Sequence, residues 1–188
     1  MLGGLVTRIA AWRARRLKET FVAATKDPWP SQQQLLAELL SRDRETVYGR
    51  RYGFSTLHGP EAFRRAVPLV TFEDLAAEVD RMAAGEPDIL VSRRDPLLRF
   101  CLTSGTTGRP KMVPVTASFL QAYKNGWAAW VWAAVEDHPV LYKELATHKL
   151  LALVAPAESG RTPGGHPTGA ITGLTVSAQA RSLGRVMA

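Results

Sequence analysis

Apolar positions recur at helical spacing from the start of the chain. Leu5, Ile9, Trp12 and Arg16 follow one stripe with Leu17 and Phe21 beside it, which predicts an amphipathic helix over residues 5–24. Pro28 and Pro30 stop it. A second helix is expected from Ser31, whose spacing to Gln34 is that of a capping box, with Leu35, Leu36, Leu39 and Leu40 on its apolar face. Turn residues from Tyr48 to Pro60 read as a connection pinned by Tyr52, Phe54 and Leu57. Pro60 opens a short helix to Arg65.

Val67–Val70 is expected to be extended. Thr71 then caps a helix with Asp74 in its first turn and Phe72, Leu75, Val79 and Met82 on one face, ended by Gly85. Ile89–Val91 reads as a short strand and Leu97–Leu102 as a mostly buried one. Met112–Val115 is a strand whose Pro114 has no N–H to give a neighbour, so it belongs at a sheet edge. Thr116 caps a long helix to about Val135 that carries Phe119, Tyr123, Trp127, Trp130 and Ala134 along one side. By general odds such an aromatic stripe is core; an acyl or aromatic substrate pocket is the alternative. Residues 149–154 read as a buried strand, 156–173 as a long glycine-rich loop, and 177–187 as weakly helical. The pattern is α/β, with helices packed on a mixed sheet.

Composition narrows this little. A chain of 188 residues with 46% hydrophobic content can bury a real core and is not expected to be disordered. Cys101 is the only cysteine, so there is no internal disulfide; a small buried hydrophobe in a reducing, cytoplasmic setting fits it. No apolar run is long enough to span a membrane. The four histidines show no metal-ligand spacing, so no metal site is expected from the protein itself. The net charge of +7 is concentrated at Arg8, Arg13, Arg15, Arg16 and Lys18. Without a nucleic-acid module beside it, nucleic acid is not expected as a partner. The first helix is expected to dock on its own domain with its basic face in solvent, a membrane-surface or partner helix being the alternative.

The chemistry lies between the two central strands, in Thr103-Ser104-Gly105-Thr106-Thr107-Gly108-Arg109-Pro110-Lys111. Glycines let backbone amides come close to a ligand and turn into one concavity, where they can hold an anion. Ser104, Thr106 and Thr107 add hydroxyl donors and Lys111 a point charge. The spacing is not that of a Walker A loop.

This stretch resembles the phosphate-binding signature of adenylate-forming enzymes. The segments 45–54 (ETVYGRRYGF), 67–75 (VPLVTFEDL) and 83–90 (AAGEPDIL) resemble, more narrowly, the auxin-responsive-promoter family of acyl acid amido synthetases. The resemblance implies a two-step reaction. A carboxylic acid attacks the α-phosphate of ATP to give an acyl-adenylate and pyrophosphate. An amino-acid amine then displaces AMP. ATP and Mg2+ are the implied cofactors, and a small carboxylic acid and an amino acid the implied partners.

Thr103, Ser104, Gly105, Thr106, Thr107, Gly108 and Lys111 would form the nucleotide site, and Tyr123, Trp127 and Trp130 would line the acyl pocket. Enzymes of this kind are much longer. The chain is therefore expected to be a partial N-terminal adenylation domain over 1–188, with helix and linker over 1–30. The C-terminal domain would be absent or a separate chain, and little activity is expected alone. An acyl-CoA synthetase-type fragment and a non-catalytic remnant remain alternatives.

Overall fold

The structure is a computed structural model and describes residues 2–103, 110–141, 144 and 153–176. Its helices include α1 (Leu2–Lys26), α2 (Pro28–Asp43), α3 (Val47–Arg51), α4 (Gly59–Ala66), α5 (Ala76–Ala83), α6 (Ala117–Asp137) and a short α7 (residues 171–176). Its strands are β1 (Leu97–Leu102), β2 (Met112–Thr116), β3 (Gly160–Arg161) and β4 (Pro167–Gly169). They form one mixed sheet in the order β2-β1-β4-β3. β1 runs antiparallel to β2 and parallel to β4, and β3 runs antiparallel to β4. β2 is an edge, as Pro114 requires.

The strand β1 carries the core. Consecutive strand residues face opposite sides, and here Phe100 and Cys101 are both buried. Phe100 packs with Val79, Met82, Ala83 and Ile89 on the α5 side. Cys101 packs with Val115 and Leu174, with Leu120 and Ile171 against them, on the α6–α7 side. Burial raises the Cys101 thiol above its ordinary value, as expected of an inert core cysteine.

Several local expectations change. α2 begins at Pro28, not Ser31: Asp27 holds the N-cap position without a side-chain bond, and prolines suit the first turn because their missing N–H is not needed there. Gln34 instead donates to Glu38 at 2.8 Å. The Tyr48–Pro60 connection contains α3 and a 3-10 turn at Phe54–Thr56. Ile89–Val91 is not a strand. Gly85 and Asp88 take positive φ, 100° and 56°, and bend this segment. The carbonyls of Asp88 and Ile89 then accept from the Val47 and Tyr48 amides at the start of α3, so no sheet can use them. Thr71 and Asp74 bond reciprocally, capping a 3-10 turn at Glu73–Leu75 that leads into α5.

The segment 156–173 is not a plain loop. It supplies β3 and β4, with the Gly165 amide donating to the Thr162 carbonyl to close the turn between them. The strand expected over 149–154 lies mostly outside the described residues; Leu153 and Val154 are exposed and in no strand. The helix expected over 177–187 also lies outside them.

α1 docks on α6, but not through its expected stripe. The half-buried residues are Ala11, Ala14, Leu17, Lys18, Glu19 and Ala24, and the Lys18 ammonium pairs with Glu136. Small side chains let the two helices approach, which leaves Ile9, Trp12 and Phe21 in solvent.

Candidate functional site

The β1–β2 hairpin sets the frame of the site. At one end the Thr103 amide donates to the Lys111 carbonyl at 3.1 Å, which continues the ladder to the mouth of the glycine-rich loop. Ser104, Gly105, Thr106, Thr107 and Gly108 lie outside the described residues. Thr103 and Lys111 are exposed.

The other end of the hairpin is tied down by polar side chains. The Asp95 carboxylate, 4% exposed, accepts from the Ser118 amide at 2.8 Å and the Ser118 hydroxyl at 2.5 Å. It therefore caps the start of α6, where an anion complements the helix dipole. Thr116 accepts from the Phe119 amide at 3.3 Å, as its capping pattern predicts. Arg42 reaches Ser118 at 2.8 Å and Asp95 at 3.3 Å and also pairs with Asp43, which in turn accepts from the Ser92 amide. One network thus joins α2, the residues before β1, and α6. Asp95 and Arg42 gave no sequence signal, because their partners lie 23 and 76 positions away.

Burial acts to raise the Asp95 carboxyl. The hydrogen bonds from Ser118 and Thr116 and the charge of Arg42 outweigh it and hold the group below its ordinary value. A carboxylate depressed in the folded state stabilises above its unfolded pKa, about 3.9, and loses that contribution as pH falls through the folded value. Asp95→Asn is therefore expected to be less stable than the wild type at neutral pH, with a gap that narrows below about pH 4. Urea midpoints for both proteins from neutral to acid pH check this; a constant gap would contradict it.

Lys111 is not free-standing. Its ammonium lies 2.6 Å from Glu73 and 5.1 Å from the centre of the Phe72 ring. The hydrogen bond from Lys111 holds the Glu73 carboxyl below the usual carboxylate range. Glu73 is thus the partner of the loop's cation. Both groups are exposed, so the pair is loosely held and can be exchanged for another anion.

The aromatic side of α6 is not core. Phe119, Trp127 and Trp130 are 47%, 37% and 63% exposed, while α6 buries Ala129 and Val135 instead. Tyr123 and Trp127 centre 6.4 Å apart and Trp127 and Trp130 5.0 Å, the latter edge to face. With Gly126 they line an open apolar concavity of about 400 Å³. Among the described residues a side chain at Gly126 would meet nothing within 4 Å, so the glycine keeps the concavity wide there. Thr103 and Lys111 do not line it. Among the described residues no group of three His, Cys, Asp or Glu could hold a metal ion. His166 packs edge-on against Phe100. No described helix is long and apolar enough to cross a membrane.

The chain is similar to known proteins over most of its length. It is 38% identical over 84 residues to a probable indole-3-acetic acid-amido synthetase, GH3.2, of Oryza sativa subsp. japonica, covering 44% of this chain and 14% of that one. It is 32% identical over 115 residues to the jasmonoyl–L-amino acid synthetase JAR6 of Nicotiana attenuata, covering 58% of this chain and 20% of that one. The solved structure of AtGH3.15 acyl acid amido synthetase in complex with 2,4-DB matches with a TM-score of 0.65 at 28% identity, covering 80% of this chain and 26% of that one. The chain thus spans from about a seventh to about a quarter of these relatives' length. The GH3 family N-terminal domain matches residues 17–188, and the chain belongs to the GH3 family.

Proposed function

We propose that this chain carries the phosphate-gripping part of an ATP-dependent acyl acid amido synthetase. The enzyme would adenylate a small carboxylic acid and pass the acyl group to the amine of an amino acid. The observation that carries the reading is the loop Thr103–Lys111, which joins β1 to β2 in a chain of the GH3 family. Amides and hydroxyls of Ser104, Gly105, Thr106, Thr107 and Gly108 would hold the β- and γ-phosphates of ATP, with Thr103 at the entrance. Lys111 would exchange Glu73 for phosphate. That exchange is low in cost because the existing pair is exposed.

Magnesium would arrive on the nucleotide and neutralise its phosphates there. Tyr123, Trp127 and Trp130 would wall the acyl group. Their shared apolar concavity supports this, since such a site needs apolar lining more than charge. The first step is then mainly positioning and charge neutralisation. The chain spans 14% to 26% of these relatives' length, so the phosphate grip is what is proposed for it and the full reaction is proposed for the whole enzyme. A cytoplasmic setting fits the single buried cysteine.

The test is amide hydrogen exchange across 104–108 with and without Mg·ATP, in the wild type and in a Ser104→Ala/Thr106→Ala double variant. Protection by the nucleotide in the wild type, weakened about tenfold or more by the loss of two hydroxyl donors, is expected. Equal protection in both proteins would sink the assignment of these hydroxyls.

A further inference from the structure

The outward face of α1 has no role in the reading above. Ile9 and Trp12 are 55% and 64% exposed there, and Arg8, Arg13, Arg15 and Arg16 are exposed around them. Residues 1–18 contain no acidic side chain. The first acid, Glu19, pairs with Arg15 at 2.9 Å. The opposite side of the helix is already used, since Ala11, Ala14 and Leu17 sit toward α6 and Lys18 holds Glu136. α1 therefore stands fixed along the domain with a mixed apolar and cationic face turned out. The GH3 family model's match begins at residue 17, so most of this face precedes the part that the model matches.

We propose that this face of α1 docks on an anionic lipid surface. Guanidinium groups pair with phosphate and carboxylate headgroups in forked geometry. Trp12 and Ile9 sit between them at the depth where indole and aliphatic side chains enter the headgroup–acyl boundary. A duplex nucleic acid would satisfy the arginines and leave Trp12 and Ile9 in water. A second copy of the same face would set arginines against arginines. A helix lying on the surface needs no membrane span, and none is found among the described residues.

The test is co-sedimentation of the full chain with vesicles of phosphatidylcholine alone or with about 30% phosphatidylserine. Three proteins are compared: wild type, Arg13→Glu/Arg16→Glu, and Ile9→Ala/Trp12→Ala. All four sites are exposed, so circular dichroism and urea midpoints should match the wild type. The wild type is expected to bind phosphatidylserine vesicles at least tenfold better than neutral ones. That binding should fall with salt from about 0.1 M to about 0.5 M. Each variant should bind at least tenfold more weakly. Absence of binding, equal binding to both vesicles, variants that bind like the wild type, or self-association through this face on gel filtration would each overturn the proposal.

Discussion

Phe100→Ala is expected to destabilise the domain by about 3–5 kcal/mol, the upper range for truncating a buried aromatic. Phe100 has no exposed surface. Its ring fills the space among Val79, Met82, Ala83 and Ile89, and His166 meets it edge-on at 5.9 Å. The cost depends on how far the surroundings can collapse into the void. Collapse is restricted here, because β1 is held on both sides by β2 and β4. Leu69→Ala is the control: Leu69 is fully exposed, and its loss should change stability by less than about 0.5 kcal/mol. Urea denaturation of the two variants decides the matter. A cost below about 1 kcal/mol for Phe100→Ala would mean that β1 is not the centre of the core.

Gly169→Ala is expected to cost about 2–3 kcal/mol, toward the top of the range for overpacking. Gly169 lies opposite Cys101 in the parallel β1–β4 pairing. A methyl group there would sit 2.0 Å from the Ala157 carbonyl oxygen and 2.6 Å from its carbon. Those are backbone atoms, which cannot rotate aside as a side chain can. The segment before β3 would have to move, or β4 would leave the sheet. Gly126→Ala provides the contrast. That glycine lies within α6 with no described residue within 4 Å of an added Cβ, so the same substitution should stabilise by about 0.5–1 kcal/mol through helix propensity. Thermal melts that shift in opposite directions are the expected result. A neutral Gly169→Ala would contradict the placement of β4 against β1.

These two sites mark what could and could not be read from the sequence. β1 was legible because a run of apolar residues ended in turn chemistry, and β2 because a proline inside a strand implies an edge. The caps at Thr116 and at Thr71–Asp74 were legible because a hydroxyl or carboxylate three residues from an amide makes a local bond. β3 and β4 were not legible. They are only two and three residues long and rich in glycine and proline, and they are strands only because β1 offers a free edge. Ile89–Val91 is the opposite case: its apolar run suits a strand, but the Val47 and Tyr48 amides donate to the carbonyls of Asp88 and Ile89.

The helix faces show the same division. Periodicity located α1 and α6 but did not say which side was buried. In α1 the small residues Ala11 and Ala14 won over Ile9 and Trp12, because close helix approach favours short side chains. In α6 Ala129 and Val135 are buried, and Trp127 and Trp130 are left to line a concavity. Of the candidate site, the loop was legible as chemistry in a row. The Lys111–Glu73 pair and the Asp95–Ser118–Arg42 network were not, since each depends on residues far apart in the chain.

Hydrogen exchange at the amides of Ser104 to Gly108 tests the central claim most directly. If those amides line a grip for the phosphate tail of ATP, they should exchange rapidly in the free chain and slow markedly with Mg·ATP or with inorganic tripolyphosphate, which lacks the adenosine. Amides already protected before any ligand is added, or amides unchanged by either ligand, would contradict the account.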